Sequence, residues 1–312
     1  MQLFDLHCDT ILQLKEKSRD FLSRDTQFSL NELRKFSRLC QTMAIFIPDT
    51  LRGQDALEYF DCHAAYLKKL LAVQHELAGQ VFQAKDIEIH TSQGRCAVIF
   101  AVESGAALGG SLERVDHLAA LGVKFMTLVW NGENELGSGN ETEKGLTEFG
   151  KQVIRRMESR GIIADVSHLN DRGFSDICET AEMPFMATHS NLRSVAGHKR
   201  NLTESQFQEI IRRKGVVGIN LHAPFVSDEG ISDEEHLFRH IYRMLELGGE
   251  DVIACGSDFD GDITTQLDSP VKLGEFGNYL LQKGISQPVV DKIFFENAQK
   301  FCERNFERRQ KK

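Results

Sequence analysis

Ile162-Ile163-Ala164-Asp165-Val166 is a near-continuous apolar run that ends on Ser167-His168, and Val216-Val217-Gly218-Ile219-Asn220 repeats the pattern further along. A strand with one wet face alternates apolar and polar residues. A strand covered on both faces does not, and such strands belong to parallel sheets flanked by helices. Working outward, short apolar or β-branched runs recur at about 3–9, 41–47, 96–103, 124–130, 162–168, 185–189, 215–221 and 252–258. Between them stand helical patterns. The stretch 56–77 sets Leu57, Phe60, Ala64, Leu67, Leu71 and Val73 roughly on one stripe. Thr147-Glu148-Phe149-Gly150 opens like a cap, runs amphipathically to Arg160 and stops at Gly161. The stretch 203–213 repeats the device, and 236–247 ends at Gly248-Gly249.

Strict alternation of strand and helix, with this count and this length, predicts one (β/α)8 barrel domain spanning 1–312. The alternative is a doubly wound open sheet. It needs a glycine-rich phosphate turn after the first strand, where this chain has Thr10-Ile11-Leu12. Gly105-Ala106-Ala107-Leu108-Gly109-Gly110 lacks the required glycine spacing and reads as a loop.

The 312 residues, 41% hydrophobic and 27% charged, suffice for a sizeable globular core. A net charge of -9 argues against a nucleic-acid partner, which needs a basic surface. No apolar stretch is long enough to cross a bilayer. The first strand begins almost at Met1 and leaves no room for a secretory leader, so a cytoplasmic location is expected. The seven cysteines show no C-x-x-C pair and are expected to be buried, reduced thiols. Arg304, Arg308, Arg309, Lys311 and Lys312 read as the solvated end of a last helix.

In a barrel the C-terminal ends of the strands form the catalytic face. Reading those ends gives His7 and Asp9 in Leu6-His7-Cys8-Asp9, Glu103 after Val102, His168 after Ser167, His189 in Thr188-His189-Ser190-Asn191, and Asp258 and Asp260 in Ser257-Asp258-Phe259-Asp260-Gly261. Each ionisable group ends an apolar run, where an unpaired charge is costly. One or two divalent cations resolve that cost. Imidazole and carboxylate ligands without thiolate favour zinc, with manganese or cobalt as alternatives. Glu103 can bridge two ions, because a carboxylate has two oxygens to share. His7 and Asp9, on one strand, would hold one ion, and His168 and His189 the other. Asp258 stands opposite, suited to take a proton from bound water, and Asp260 reads as a turn former. In alternation, His7 and Asp9 point one way and Cys8 points into the helix layer.

These residues are where the chain resembles the membrane (renal) dipeptidase family, zinc peptidases on an amidohydrolase-like barrel. Phe4-Asp5-Leu6-His7-Cys8-Asp9-Thr10 is similar to the family's first metal motif, and Ala101-Val102-Glu103-Ser104-Gly105 to its bridging glutamate. Gly145-Leu146-Thr147-Glu148-Phe149-Gly150 with Asp165-Val166-Ser167-His168, and Ala187-Thr188-His189-Ser190-Asn191, resemble the segments of the fourth and fifth ligands. Gly256-Ser257-Asp258-Phe259-Asp260-Gly261 resembles the segment of the catalytic aspartate, and Lys199-Arg200-Asn201-Leu202 the segment whose arginine holds the substrate carboxylate. Two departures stand out. Trp130, the only tryptophan, takes the place of a polarising histidine, leaving polarisation to a metal, to Asn131 or to the Trp130 indole. His222 takes the place of a tyrosine.

The resemblance implies hydrolysis of free dipeptides by a hydroxide shared between two zinc ions. Asp258 and Glu103 are then the catalytic carboxylates, and Arg200, Trp130, Asn131 and His222 the substrate contacts. It also implies tolerance of a C-terminal D-residue, and a homodimer. The acidic segment 131–145 is expected to cover the site as a lid. Two other functions fit the same residues: a barrel hydrolase acting on N-acyl amino acids, lactones or cyclic amides, and a metal-binding scaffold without catalysis. An intact Asp258 argues against the scaffold.

Overall fold

The strands are β1 (Gln2–Cys8), β2 (Arg38–Phe46), β3 (Ala78–Gln80), β4 (Cys96–Glu103), β5 (Val123–Thr127), β6 (Ile163–Asp165), β7 (Val217–Ile219) and β8 (Ile253–Cys255) in a computed structural model that describes residues 1–306. Arg308, Arg309, Lys311 and Lys312 of the basic tail lie outside the described residues. All pairs are parallel, in the order β6-β5-β4-β2-β1-β8-β7, with β3 beside the first residues of β4.

The gap between β6 and β7 is filled by 185–189, expected as a strand. It forms no regular strand, only the parallel bridges Asp165↔Met186 and Ala187↔Val217. Hydrogen bonds from Val166 N to Met186 O (2.7 Å) and from Gly218 N to Ala187 O (2.8 Å) still tie it to both neighbours. The segment crosses from one neighbour to the other within two residues, too quickly to build a ladder with either. The ring nevertheless closes, and the fold is a (β/α)8 barrel. β3 escaped the sequence reading because Ala78-Gly79-Gln80 has no apolar pattern. The expected strands 124–130, 162–168, 215–221 and 252–258 are shorter than read, since their last residues leave the ladder to build loops.

Helices form the outer layer: α1 (Thr10–Glu16), α2 (Gly53–Val73), α3 (Ala84–Ser92), α4 (Glu113–Leu121), α5 (Glu148–Arg160), α6 (Asp171–Thr180), α7 (Glu204–Arg212), α8 (Ala223–Val226), α9 (Glu234–Glu246), α10 (Pro270–Gln282), α11 (Gln287–Asp291) and α12 (Asn297–Asn305). Thr147 caps α5 by accepting from Gly150 N, and Gly161 ends it at φ 71°. Thr203 and Gln206 make a reciprocal capping box on α7. Each such cap is worth about 1 kcal/mol. α9 starts earlier than expected because Asp233 caps it. α2 stops at Val73, short of 77, to release the chain into β3. Gly105–Leu108 makes one 3₁₀ turn. No helix of the described residues is long and apolar enough to cross a membrane.

Strand parity divides the core. Ala97, Ile99 and Ala101 of β4 pack with Phe125, Ile163, Met186 and Ala254 inside the barrel, closed below by Phe295, Phe301 and Cys302. Cys96, Val98, Phe100 and Val102 face the helices. β1 breaks this parity. Phe4 and Leu6 join the interior cluster, which would turn His7 outward. Between Asp5 and Cys8, however, three residue steps of β1 pass only two of β2, Gln41 to Met43. That bulge re-aims the strand, so His7 faces inward and Cys8 joins the helix layer against Met43 (3.5 Å). All seven cysteines are free; Cys62 is exposed, Cys178 half-buried and the rest buried.

Candidate metal centre

His7, Asp9, Glu103, His168, His189 and Asp258 meet at one mouth of the barrel, all buried. The inward turn at the bulge delivers His7, and Glu103 is the last residue of β4. His168 and Asp258 follow short strands in left-handed conformations, φ 72° and 65°. Such strain in non-glycine residues costs about 1–3 kcal/mol each and gathers where a site over-determines the backbone.

Glu103 divides its oxygens. Oε2 lies 3.3 Å from His7 Nε2, and Oε1 lies 2.9 Å from His168 Nε2 and 3.6 Å from His189 Nε2. His7 Nε2 is also 3.9 Å from an oxygen of Asp9 and of Asp258. Three groups can each surround one cation: His7, Asp9 and Glu103; Glu103, His168 and His189; and His7, His189 and Asp258. His7 Nε2 and Asp9 Oδ1 are buried without a hydrogen-bond partner.

The tautomers sharpen the point. His168 Nδ1 donates to Asn131 Oδ1 (3.0 Å), an oxygen that also accepts from Asn140 Nδ2 (2.7 Å). His189 Nδ1 donates to Thr188 Oγ1 (2.7 Å), whose own proton goes to Asp165 Oδ2 (2.5 Å). With both Nδ1 atoms protonated, both Nε2 atoms carry bare lone pairs, and they face each other at 3.0 Å. Two lone pairs at that distance repel unless a cation stands by them.

The charges agree. Burial opposes a charge on His7, but Glu103, Asp9 and Asp258 outweigh it and raise its pKa to about 10. Burial and the Arg200 charge lower His168 to about 4, and burial with the His7 charge holds His189 well below its usual value. Burial raises Asp9 far above a normal carboxyl, helped by Glu103. Burial also raises Glu103, but the three histidines together carry it well below the ordinary range. Of the three histidines, only His7 is thus favoured as a cation beside the three carboxyl groups. This donor set, with no thiolate, fits a hard or borderline divalent ion.

A cavity of about 480 Å³ opens over these groups, walled by Phe46, Trp130, Asn131, His222, Phe225 and Asp262. Trp130 packs edge-on to Phe46, centroids 4.9 Å apart. His222 Nδ1 is buried without a partner. Arg200 is set behind the wall. It donates to Ser190 Oγ (2.9 Å) and His189 O (3.0 Å), keeps an unpartnered Nε, and is lowered to about 10 by burial. Asp260 accepts from Thr10 Oγ1 (2.5 Å) and from Gln27 N (2.8 Å), so it clamps the segment after α1. The segment 131–145 is pinned. Leu136 is fully buried, and Asn134 Nδ2 donates to Leu128 O (2.9 Å). Of this segment, expected as a lid, only Asn131 lines the cavity.

The sequence profile of the membrane dipeptidase family, peptidase family M19, matches residues 1–312. The chain belongs to that family. A Klebsiella pneumoniae protein named for its place in the pqqA 5′ region is 32% identical over 246 residues, 75% of this chain and 91% of its own. Dipeptidase AC, a metallo peptidase of family M19, matches with a TM-score of 0.92 at 25% identity over 99% of both chains. A Rhodobacter sphaeroides metallo peptidase liganded with a phosphinate mimic of L-Ala-D-Ala matches with a TM-score of 0.91 at 24% identity, over 98% of this chain and 99% of that one. This M19 chain also uses residues to which the sequence reading gave no role of their own: Asp165, Thr188 and Asn140. Asp165 carried a signal, a carboxylate embedded in an apolar run. Thr188 and Asn140 carried none, because a hydroxyl or an amide reveals its partner only in three dimensions.

Proposed function

We propose that this chain is a two-metal dipeptidase that hydrolyses free dipeptides. The observation that carries the proposal is the approach of His168 Nε2 and His189 Nε2 to 3.0 Å beside Glu103, while the Nδ1 of each ring is engaged by an oxygen. One ion would be held by His7, Asp9 and one oxygen of Glu103, the other by His168, His189 and the second oxygen. Zinc suits this set best, with manganese or cobalt as alternatives. Bound divalent ions supply a water acidified to near neutral pH and a Lewis acid for the carbonyl.

The chain's own residues do the rest. Burial raises Asp258 to about 6, against the pull of the His7 charge. Asn220 Nδ2 orients it from 3.0 Å. A carboxylate with that affinity takes a proton at neutral pH and returns it to the leaving amine. Arg200 would hold the substrate's C-terminal carboxylate, as the family resemblance implies, by turning its guanidinium out from Ser190 and His189. Phe46, Trp130 and Phe225 exclude water, while His222, the Trp130 indole and the free amide nitrogen of Asn131 face the substrate. Acceptance of a C-terminal D-residue is supported by the family resemblance and by the ligand of the Rhodobacter sphaeroides neighbour. A cytoplasmic homodimer is the accompanying reading, and sedimentation of the purified chain tests the dimer.

The decisive experiment is a substrate panel of L-L and L-D dipeptides, N-acyl amino acids, lactones and cyclic amides, run on wild type and Asp258→Asn with metal analysis alongside. Two ions per chain and turnover of dipeptides that collapses in the variant support the proposal. Turnover confined to N-acyl amino acids, lactones or cyclic amides, or fewer than two ions after loading, overturns it.

A further inference from the structure

We infer that Thr188 is a positioning residue whose single hydroxyl aims one histidine in each half of the metal centre. The inference rests on the two-metal reading above. Asp165 Oδ2 accepts from Thr188 Oγ1 (2.5 Å) and Thr127 Oγ1 (2.6 Å), and Oδ1 from Ser167 N (2.9 Å) and Thr188 N (2.9 Å). Both oxygens of this carboxylate are acceptors in these four contacts, so the Thr188 hydroxyl hydrogen points at Asp165. Two lone pairs remain on Oγ1. One faces His189 Nδ1 at 2.7 Å and the other His7 Nδ1 at 3.3 Å. Both rings must therefore carry hydrogen on Nδ1 and present Nε2 to the cavity. His7 stands with Asp9 and Glu103, and His189 with His168 and Glu103. Below Glu103, one hydroxyl thus joins the two halves.

The backbone holds this hydroxyl in place. A Cβ on Gly218 would lie 2.0 Å from Thr188 O, and one on Gly256 1.9 Å from it. β7 and the end of β8 therefore close on the Thr188 carbonyl from both sides, and only glycine permits that approach. Thr188 itself is 1% exposed. Outer partners of this kind commonly change metal affinity about 10- to 100-fold.

The test uses the zinc-loaded full chain. Graded addition of a zinc chelator gives the concentration that releases each ion, for wild type, Thr188→Val, Thr188→Ser and Thr127→Val. Thr188→Val should release both ions at about 10- to 100-fold lower chelator. Thr188→Ser should lie close to wild type. Thr127→Val takes a hydroxyl from Asp165 without touching a histidine, and should lower the melting temperature while leaving release unchanged. Unchanged release of both ions from Thr188→Val overturns the inference and leaves the two-metal reading intact. Wild type that binds a single ion overturns both. Should Thr188→Val fail to fold, nitrogen-15 spectra of the histidines in loaded wild type decide. Hydrogen on Nδ1 of both His7 and His189 is expected, and hydrogen on Nε2 of either overturns the inference.

Discussion

Asn131 Oδ1 stands 3.0 Å from Nδ1 of His168, and this contact decides which ring nitrogen faces Glu103. Asn140 holds the amide in that orientation. Replacing Asn131 by Leu should lower zinc affinity about 10- to 100-fold, whereas Asn131→Asp keeps the acceptor and should stay close to wild type. Zinc retained after dialysis against a chelator measures both.

Asp258 is assigned the proton transfer. Asp258→Asn keeps the shape and the contact with Asn220 but cannot cycle a proton. kcat should fall about 10²- to 10⁴-fold, with zinc content unchanged and KM altered far less. A variant retaining wild-type kcat would remove Asp258 from the chemistry.

Arg200 is assigned the substrate carboxylate. Loss of one charge-assisted pair is worth about 1.5–3 kcal/mol, or roughly 10- to 150-fold in kcat/KM. Arg200→Lys should show that loss on a free dipeptide. On the matching dipeptide amide, already poor for the wild type, the two enzymes should perform alike.

The barrel and its catalytic rim were legible because both follow from local pattern. Apolar runs ending in His, Glu or Asp identify covered strands that finish at a polar mouth, as Ile163–Asp165 followed by His168 does. Less legible was whatever depends on neighbours in space. The stave at 185–189 has a strand's composition, yet it lies between two partners and pairs briefly with each. The segment 131–145 reads as exposed and acidic, but Leu136 and Asn134 bind it down. Asn131 reads as a substrate contact, and that its oxygen also serves His168 is visible only in three dimensions.

His240 sets an acid limit on stability. It is fully buried, accepts from Leu192 N through Nδ1 (3.2 Å) and donates from Nε2 to Val226 O (2.9 Å). Burial lowers its pKa to about 4 from the ordinary 6.5. In the unfolded chain it protonates below about 6.5, while the folded protein resists, so stability falls with pH between those values. The loss attributable to this group is on the order of 3 kcal/mol. Urea midpoints from pH 7 to pH 4 should fall more steeply for wild type than for His240→Gln, and parallel slopes would discount His240.

Metal removal should expose how much of the fold depends on the ions. Exhaustive chelation should abolish hydrolysis and lower the melting temperature, and zinc should restore both. A ligand at about a thousandfold its dissociation constant adds about 4 kcal/mol to folding stability.

The slip in β1 separates two kinds of selection along one short strand. Before it, Phe4 and Leu6 answer only to the packing around Phe295, whose ring lies 5.6 Å from Phe4. After it, His7 and Asp9 answer only to the chemistry at the mouth. Apolar exchanges in the lower half can therefore retune thermal stability without disturbing zinc occupancy. Were β1 paired regularly through this stretch, the alternation set by Phe4 and Leu6 would turn His7 toward the helices. In relatives of this chain, the side chains at His7 and Asp9 should be guarded more strictly than the apolar residues before them.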